Sequence, residues 1–354
     1  MKKIILTGGG SSGHVTPNLA LVPELVDAGY QVFYIGSHNG IERELVEEAG
    51  IPYYGISSGK MRRYRSLKNV TDIFRVCKGL TDAIGIIRKI KPDIIFSKGG
   101  FVVVPVVTAG RLLRVKTVIH ESDMTPGLAN KLAMPFAHKI CVSFPETLAK
   151  IPKNKGILTG TPLRNKVFTG DRQVGLQLLG GSGAARPVLL VTGGSQGASA
   201  INKAVRDALP TLLEKFRIIH LCGRGNLSGI QQDGYVEFEY LNEEMPDVLA
   251  AADIVLSRAG ANTIFELVAL GKPNLLVPLP VEVSRGDQVQ NADSFARQGL
   301  SSVLPEKEMT KARLLQDLTM LYENRETFRQ TMVAQDVSGG VKKVLAVING
   351  ATET

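Results

Sequence analysis

Short apolar runs alternate with stretches of helical periodicity along the first half of the chain. The runs KIILT, QVFYIGS and KTVIHES are rich in β-branched and aromatic residues, whereas PNLALVPELVDAG and GIERELVEEAG repeat apolar residues at the spacing of a helix. Strands that alternate with helices in this way form parallel sheets with helices on both faces. The pattern therefore predicts a parallel α/β domain.

The same pattern restarts in the second half of the chain. PVLLVTGGSQGASAINKAV repeats the opening order of strand, glycine turn and helix. DIVLSRAGANTIFE at 253–266 likewise matches DIIFSKGGFVVVP at 93–105. Two corresponding pairs in the same order predict two similar α/β domains rather than one large sheet.

The domain boundaries follow from composition. We assign residues 1–160 to the first domain and 161–335 to the second, and LAKIPKNKGILTGTPLRNKV to the crossover. We expect residues 336–354 to form a helix that packs back on the first domain, and 179–188 to form a surface loop. Two-domain proteins of this kind bind ligands between the carboxyl edges of facing sheets.

The opening stretch TGGGSSGHVTP places a glycine turn between the first strand and the first helix, and its glycines spell G-x-G-x-x-G. A dinucleotide site would need an acidic residue at the end of the second strand, where 36–39 reads Gly-Ser-His-Asn. No Walker A sequence follows the turn either. The turn therefore predicts a phosphate or sugar-phosphate loop, with a turn that binds nothing as the alternative. Three polar residues that a bare turn would not need lie in it, namely Ser11, Ser12 and His14.

SRAGANTIFE is the most informative stretch of the second domain. Gly260 and Ala261 allow a close approach of the backbone, and Asn262 or Thr263 can start a helix. Glu266 then lies about one turn into that helix, where its carboxylate could accept two hydrogen bonds from a ribose diol. An ordinary glutamate favoured by the helix dipole is the alternative.

Two further loops of the second domain carry candidate polar groups. Ser195 in GGSQGA either contacts a phosphate or caps the following helix. In VSRGDQVQNA, Asp287 and Gln288 suit sugar hydroxyls, and a helix cap at Asp287 is the alternative.

The stretch IHESDMTPGLANK places Glu121 and Asp123 directly after a predicted strand. No D-x-D sequence occurs in the chain, and the five histidines show no metal-ligand spacing. We therefore expect a mechanism without a metal ion. The charge of a diphosphate would be neutralised by N–H groups and by bases such as Arg164.

The composition is that of a globular protein, with 44% hydrophobic residues and three cysteines far apart in sequence. No apolar run has the ~20 residues that a membrane-spanning helix requires. The net charge is +9, and ten basic but only two acidic residues lie between Lys60 and Lys91. A basic cluster of this kind favours an anionic membrane, a nucleic acid or a phosphorylated substrate.

Seven motifs in the right order across residues 4–300 resemble the MurG family of bacterial N-acetylglucosaminyltransferases. They are TGGGSSGHVTP, SKGGF, HESDMTPGLANK, TGTPLR, GGSQGA, SRAGANTIFE and RGDQVQNA. The resemblance implies the GT-B glycosyltransferase fold, in which two Rossmann-like domains face a cleft. It further implies inverting transfer of N-acetylglucosamine from UDP-GlcNAc to the 4-hydroxyl of the muramyl sugar of lipid I, which forms lipid II in peptidoglycan synthesis. No cofactor and no nucleic acid partner are implied, and the enzyme would lie peripherally on the cytoplasmic face of the cell membrane.

The resemblance also assigns roles by motif match. Ser195 would meet phosphate, Leu241 uracil, Arg164 the nucleotide, Glu266 the ribose, and Gln288 with Asp287 the sugar. The backbone of the second domain would approach the substrate closely at Gly260, Ala261, Asn262 and Thr263. The diphosphates and the acceptor would face Ser11, Ser12 and Gly13. The chain departs from the family at Ser11 and Ser12, where the family often has Thr-Gly, and at Asp123, where it usually has asparagine.

A general base must take the proton of the attacking hydroxyl. His14 is the first candidate, and Glu121 or Asp123 is the alternative. Rival functions are a UDP-GlcNAc 2-epimerase and a glycolipid synthase that uses diacylglycerol, both of the same fold. An NAD-dependent oxidoreductase and a regulatory sugar-nucleotide binder are more distant alternatives.

The basic segment at residues 60–91 fits a lipid-linked acceptor. Apolar residues lie among its basic residues at close to helical spacing, which predicts docking to an anionic membrane. The alternative is that these residues pack into the core of the first domain. The apolar residues are Leu67, Val70, Phe74, Leu80, Ile84 and Ile87.

Overall fold

The chain forms two compact units in the computed structural model. The first unit is Met1–Arg164 with Ser338–Thr354, and the second unit is Asn165–Val337. The structure describes residues 1–59, 68–180, 186–194, 197–335 and 337–353, with the backbone alone along 68–73. The loop expected at 179–188 therefore lies partly outside the described residues.

The first unit alternates strands with helices along its length. Its strands are β1 (Lys2–Thr7), β2 (Tyr30–Ser37), β3 (Tyr53–Ile56), β4 (Ile94–Ser97), β5 (Lys116–Glu121), β6 (Lys139–Val142) and β7 (Gly156–Leu158). Its helices are α1 (Ser12–Asp27), α2 (Ile41–Glu48), α3 (Lys68–Ile90), α4 (Val103–Leu112), α5 (Leu128–Ala133) and, from the end of the chain, α14 (Gly340–Glu353). Short 3₁₀ helices cover Met134–Phe136 and Pro145–Lys150.

All seven strands of the first unit form one parallel sheet in the order β3-β2-β1-β4-β5-β6-β7. Successive side chains of a strand point to opposite faces, so each strand feeds two cores. Ile5 of β1 packs with α3 and α4, whereas Ile4 and Leu6 pack with α1 and α14. The predicted parallel sheet with helices on both faces is confirmed.

Helix α14 belongs to the core of the first unit. Val344 and Ile348 are fully buried and lie in the same apolar cluster as β1 and α1. Tyr30 Oη donates a hydrogen bond to Asn349 Oδ1 at 2.9 Å. The end of the chain thus covers one face of the sheet that the beginning of the chain starts.

The stretch assigned to the crossover is mostly part of the first unit. It contains β7, which pairs in parallel with β6, and only its last residues enter the second unit through a 3₁₀ helix at Asn165–Phe168. The interpretation of the whole stretch as a linker is therefore wrong. A three-residue edge strand carries too weak a periodicity to be recognised in the sequence.

The second unit repeats the plan with fewer strands. Its strands are β8 (Val188–Thr192), β9 (Arg217–Leu221), β10 (Tyr235–Phe238), β11 (Ile254–Ser257), β12 (Asn274–Leu276) and β13 (Ser302–Val303). Its helices are α6 (Arg172–Gln177), α7 (Ser199–Asp207), α8 (Leu209–Lys215), α9 (Met245–Ala251), α10 (Ala261–Ala269), α11 (Asp287–Arg297), α12 (Lys311–Glu323) and α13 (Arg325–Gln335), with a 3₁₀ turn at Glu306–Glu308. The parallel sheet has the order β10-β9-β8-β11-β12-β13.

Strand order reverses once in each sheet, between β1 and β4 in the first and between β8 and β11 in the second. Ligands of open parallel sheets bind outside the carboxyl ends of the strands at such a reversal. The two motif pairs that repeat in the sequence follow these four strands. In the part of the chain that the structure describes, no helix is both long and apolar enough to cross a membrane.

Candidate active site

The glycine turn after β1 is shorter than predicted. Helix α1 begins at Ser12 with Ser11 as its N-cap, so Ser12 and His14 belong to the first helical turn. The prediction that both lie in the turn is wrong, because the chain enters the helix before Gly13 rather than after it. The Ser11 side chain makes no cap hydrogen bond, and backbone N–H groups at the helix start can therefore meet an anion.

The imidazole of His14 is held by the turn that precedes it. Its Nδ1 lies 3.0 Å from the carbonyl oxygen of Gly9 and 3.1 Å from Ser11 Oγ. A carbonyl can only accept, so Nδ1 carries the proton and the neutral ring offers Nε2 as its basic nitrogen. A Cβ built on Gly99, in the loop after β4, would lie 3.4 Å from this Nε2. The basic nitrogen thus lies beside the second glycine loop of the same sheet edge.

A buried carboxylate that the motif analysis overlooked holds the glycine turn in place. Glu42 in α2 is fully buried, and its oxygens accept hydrogen bonds from the N–H groups of Gly10 at 3.1 Å and Ser37 at 2.9 Å. A Cβ on Gly9 would lie 2.5 Å from Glu42 Oε1, so any larger residue there would push this carboxylate away from its N–H donors. An acidic group, Glu42, therefore does lie next to the end of β2. It binds backbone N–H groups of the protein and not a ribose.

We expect Glu42→Gln to lower the free energy of unfolding by roughly 2–4 kcal/mol, because an amide NH₂ would replace one of the two buried oxygens and place a donor opposite the N–H of Gly10 or Ser37. Thermal unfolding of the variant measures this loss. Glu44→Gln on the exposed side of the same helix is the matched control and should change stability little. Equal melting of the two variants would contradict the role of Glu42.

Glu121 at the end of β5 holds the loop that follows it by hydrogen bonds. It is 5% exposed, and its Oε1 accepts from the N–H of Asp123 at 3.0 Å. Its Oε2 accepts from the N–H of Gly127 and from Asn130 Nδ2, both at 2.9 Å. A carboxylate that already accepts three hydrogen bonds suits loop positioning better than proton transfer. Asp123, two residues on, is half-buried in the same loop.

A lysine and a histidine lie beneath this loop. Lys98, directly after β4, is 2% exposed, and its Nζ lies 2.8 Å from His120 Nδ1 and donates to Ser122 Oγ. Burial lowers the pKa of Lys98 to about 7, although the carboxylates of Glu121 and Asp123 raise it. Burial and the charge of Lys98 hold the pKa of His120 well below its usual range, so this imidazole is neutral.

The second unit has its first candidate loop after β8. Gly194 and Gly197 both have positive φ, and a Cβ on Gly197 would lie 2.1 Å from the carbonyl oxygen of Cys222. Helix α7 starts at Ser199 with Ala198 at the N-cap and no side-chain cap. Ser195, predicted to meet phosphate, lies outside the described residues.

The second candidate loop follows β11, next to β8 in the sheet. Helix α10 begins at Ala261, just before the two predicted starts, Asn262 and Thr263. Its N-cap is Gly260, so no side chain caps the helix. Asn262, Thr263 and Glu266 are half-buried. The Asn-Thr pair and the carboxylate therefore lie in the first two turns of a helix that starts at the strand reversal.

The start of α11 brings Asp287 and Gln288 to the carboxyl end of β12. Gly286 is the N-cap, and Asp287 Oδ2 pairs with Arg285 Nη2 at 2.9 Å. The alternative that Asp287 caps the helix is therefore wrong. Gln288 Oε1 accepts the N–H of Leu279 at 3.0 Å, which fixes the amide at the strand end.

Leu241 and Arg164 complete the predicted set. Leu241 follows β10 and is buried in an apolar cluster with Leu221 and Val248. Arg164 ends the first of the two segments of the first unit, and its buried Nε has no hydrogen-bond partner among the described residues. The candidates of the second unit that the structure describes all follow carboxyl ends of its strands.

One group of metal-ligand residue types occurs among the described residues, namely His220, Cys222 and Glu237. The guanidinium of Arg206 already serves this group as its cation, with Nη2 at 2.8 Å from Glu237 Oε1 and 3.4 Å from Cys222 Sγ. The His220 Nδ1 lies 2.9 Å from Tyr235 Oη. This arrangement is an internal network that ties β9 to β10.

Family models match both units. The N-terminal domain of glycosyltransferase family 28 matches residues 4–142, and the C-terminal domain of that family matches residues 188–346. The chain belongs to glycosyltransferase family 28. The predicted GT-B class, with two Rossmann-like domains, is thereby confirmed.

Relatives within this family are similar over their full length. A Lachnospira eligens protein named UDP-N-acetylglucosamine–N-acetylmuramyl-(pentapeptide) pyrophosphoryl-undecaprenol N-acetylglucosamine transferase is 54% identical over 350 residues, which is 98% of this chain and 99% of that protein. The crystal structure of Acinetobacter baumannii MurG is 25% identical with a TM-score of 0.74, covering 99% of this chain and 100% of that one. A Listeria monocytogenes structure described as a UDP-N-acetylglucosamine 2-epimerase has a TM-score of 0.73 at 14% identity, covering 100% and 97%, so the likeness concerns the fold alone.

Three residues of the candidate site in the first unit were not among the residues predicted from the sequence: Glu42, Lys98 and Asn130. Lys98 lies within the SKGG motif and Asn130 within PGLANK, so both were inside quoted motifs. A lysine placed directly after a buried strand was the available signal, because such a residue needs a partner at the sheet edge. Glu42 had no comparable signal, since a glutamate in the first turn of a helix is common.

Proposed function

We propose that the chain transfers N-acetylglucosamine from UDP-GlcNAc to the 4-hydroxyl of the muramyl sugar of lipid I, with inversion, and so forms lipid II. The observation that carries this is the 54% identity, across nearly all of both chains, with a relative named for this transfer. The glycine loops at the strand reversal of each unit supply the anion-binding helix starts that two diphosphate substrates need.

The second unit is proposed to hold the donor. Uncapped helix starts at α7 and α10 suit the diphosphate, with Ser195 as a phosphate contact. Glu266 would accept hydrogen bonds from the ribose diol, and Gln288 with Asp287 would bind the sugar. Leu241 would lie near uracil. Arg164, whose buried Nε has no partner among the described residues, would contact the nucleotide.

The first unit is proposed to hold the acceptor and the general base. The 4-hydroxyl oxygen bonds to C1 of GlcNAc on the face opposite UDP, and the C1–O bond to the diphosphate breaks. The hydroxyl proton passes to His14 Nε2, and UDP leaves with the bonding electrons. Hydrogen bonding of Nδ1 to Gly9 supports His14 over Glu121, whose oxygens already accept three hydrogen bonds. Asp123 would bind substrate near this base.

The carrier of the acceptor is a membrane lipid, and we propose that the first unit docks peripherally on the cytoplasmic face of the membrane. Leu80, Ile84 and Ile87 of α3 pack against the core, as the alternative interpretation of this segment predicts. Phe74 is 71% exposed, whereas Gly79, five residues later in α3, is buried against the carbonyl oxygen of Ser57. Leu67 and the side chain of Val70 lie outside the described residues. The exposed Phe74 supports a docking surface near the start of α3.

Removing two positive charges from one end of α3 tests this docking. Changing Arg75 and Lys78 to glutamine should weaken binding to anionic vesicles about thirtyfold at low salt, at ~1 kcal/mol for each basic residue near the surface. Co-sedimentation measures the change, and neutral vesicles should show none. Arg88 and Lys89, exposed at the other end of α3, give the matched control pair. Equal losses for both pairs would argue against a surface at the start of the helix.

Release of UDP from UDP-GlcNAc, with and without a lipid I analogue, tests the transfer itself. Release that depends on the analogue, together with incorporation of GlcNAc into it, is expected. Release without any acceptor, with a change at C2 of the sugar, would instead support the 2-epimerase. Transfer to diacylglycerol would support the glycolipid synthase.

A further inference from the structure

Lys98 combines a charge with almost complete burial at the edge of the first sheet. It follows β4 directly, and its backbone N–H donates to the carbonyl oxygen of Thr7 at 2.9 Å. Its side chain is 2% exposed and runs beneath the loop after β5. An ammonium group in such a place is costly unless nearby groups compensate its charge.

The hydrogen-bond partners of this ammonium group are neutral. His120 Nε2 lies 2.8 Å from the carbonyl oxygen of Gly160 and donates to it, so His120 Nδ1 accepts from Lys98. The other partner is the hydroxyl of Ser122. Hydrogen bonds to neutral acceptors orient the ammonium group, but they do not balance its charge.

Two carboxylates flank that serine. Glu121 precedes it and Asp123 follows it, and both raise the pKa of Lys98 against the effect of burial. Glu121 is already bound by three neutral N–H donors. Two negative charges that are two residues apart on one loop disfavour each other, and a nearby cation offsets this effect.

We propose that Lys98 is a positioning residue whose buried charge allows the loop after β5 to carry Asp123 beside Glu121. Lys98 contacts neither substrate nor the reacting atoms. It acts through the loop, by holding Ser122 and by balancing the two acids on either side of it. Without this cation, the charge of Asp123 would destabilise the loop.

A second lysine that contacts the same loop from outside it provides the comparison. Lys150 Nζ donates to the carbonyl oxygen of Met124 and to Thr125 Oγ1, and this lysine is exposed. Water screens its charge, so it should not compensate Asp123 to the same degree.

The test is a double-variant cycle with Lys98→Met and Asp123→Asn, followed by thermal unfolding and by kcat/KM for a lipid I analogue. Asp123→Asn should slow the otherwise unchanged enzyme. In the Lys98→Met background the same change should raise the melting temperature and restore activity by at least about fivefold. The KM for UDP-GlcNAc should stay constant. Lys98→Gln keeps a donor for Ser122 and removes only the charge, and it should behave like Lys98→Met.

The control cycle pairs Lys150→Met with Asp123→Asn, and its effects should simply add. Additive effects in the Lys98 cycle as well would overturn the proposal. If Lys98→Met does not yield folded protein, the Lys98→Gln cycle decides by the same criterion. The activity readout rests on the proposed function, whereas the melting cycle does not. A protein that never glycosylates the analogue would thus overturn only the proposed function, and the melting cycle would still decide the role of Lys98.

Discussion

His14→Ala is expected to lower kcat by about 10²- to 10⁴-fold while UDP-GlcNAc still binds. That range is typical for the loss of a general base. Gly9 and Ser11 hold Nδ1, so the neutral ring offers Nε2 as the nitrogen that can take the proton. Single-turnover measurements with a lipid I analogue, and binding of UDP-GlcNAc by calorimetry, separate the chemical step from donor affinity.

The chain provides a matched control for this experiment. His138 is an exposed histidine before β6, and its alanine variant should turn over normally. The pH dependence of kcat/KM adds a second criterion. The fall in rate at acidic pH that protonation of the general base causes should be absent in His14→Ala. Turnover near the normal rate in His14→Ala would exclude His14 as the general base. Asp123 would then be the better candidate for that role.

Glu266→Ala is expected to raise the KM for UDP-GlcNAc by roughly 10- to 150-fold, because hydrogen bonds to a charged group contribute ~1.5–3 kcal/mol. The carboxylate lies in the second turn of α10, at the strand reversal of the second unit. Competition by UDP and by its 2′-deoxy analogue identifies the group involved. The unchanged protein should prefer UDP, and the variant should bind both equally.

Glu214→Ala, at an exposed position on α8 of the same unit, is the control and should keep both affinity and preference. If Glu266→Ala weakens UDP and 2′-deoxy-UDP by the same factor, the carboxylate does not contact the ribose. A purely structural role in α10 would then be the better account, and the melting temperature should fall in parallel.

The strands and glycine turns could be predicted from the sequence because each is specified locally. An apolar run such as KIILT and the glycines behind it contain most of the information that forms β1 and its turn. The start of α1 was misplaced because Gly13 looks like a turn residue, although a helix tolerates it once the next residues pack. Which of two neighbouring residues begins a helix is rarely legible in sequence.

The candidate site was predictable only where a motif carried it. Glu42 binds the N–H of Gly10 and Lys98 binds His120, and both pairs join residues that are far apart in sequence, so no local spacing encodes them. The segment at residues 60–91 shows the same limit. Its apolar residues have helical spacing whether they face lipid or core, and only the packed structure assigns Leu80 and Ile84 to the core.

The return of α14 to the first unit has a consequence for synthesis on the ribosome. Residues 340–353 cover the face of the sheet that β1 and α1 begin, so that face stays open while the whole second unit is being made. Domains usually complete their folding in the order of their synthesis. Here the order is reversed: the second unit can be finished while the first still lacks the helix that packs over β4, β5 and β6. A pause or a truncation near the end of translation would therefore leave the earlier half of the protein as the incomplete one, in need of protection by a chaperone.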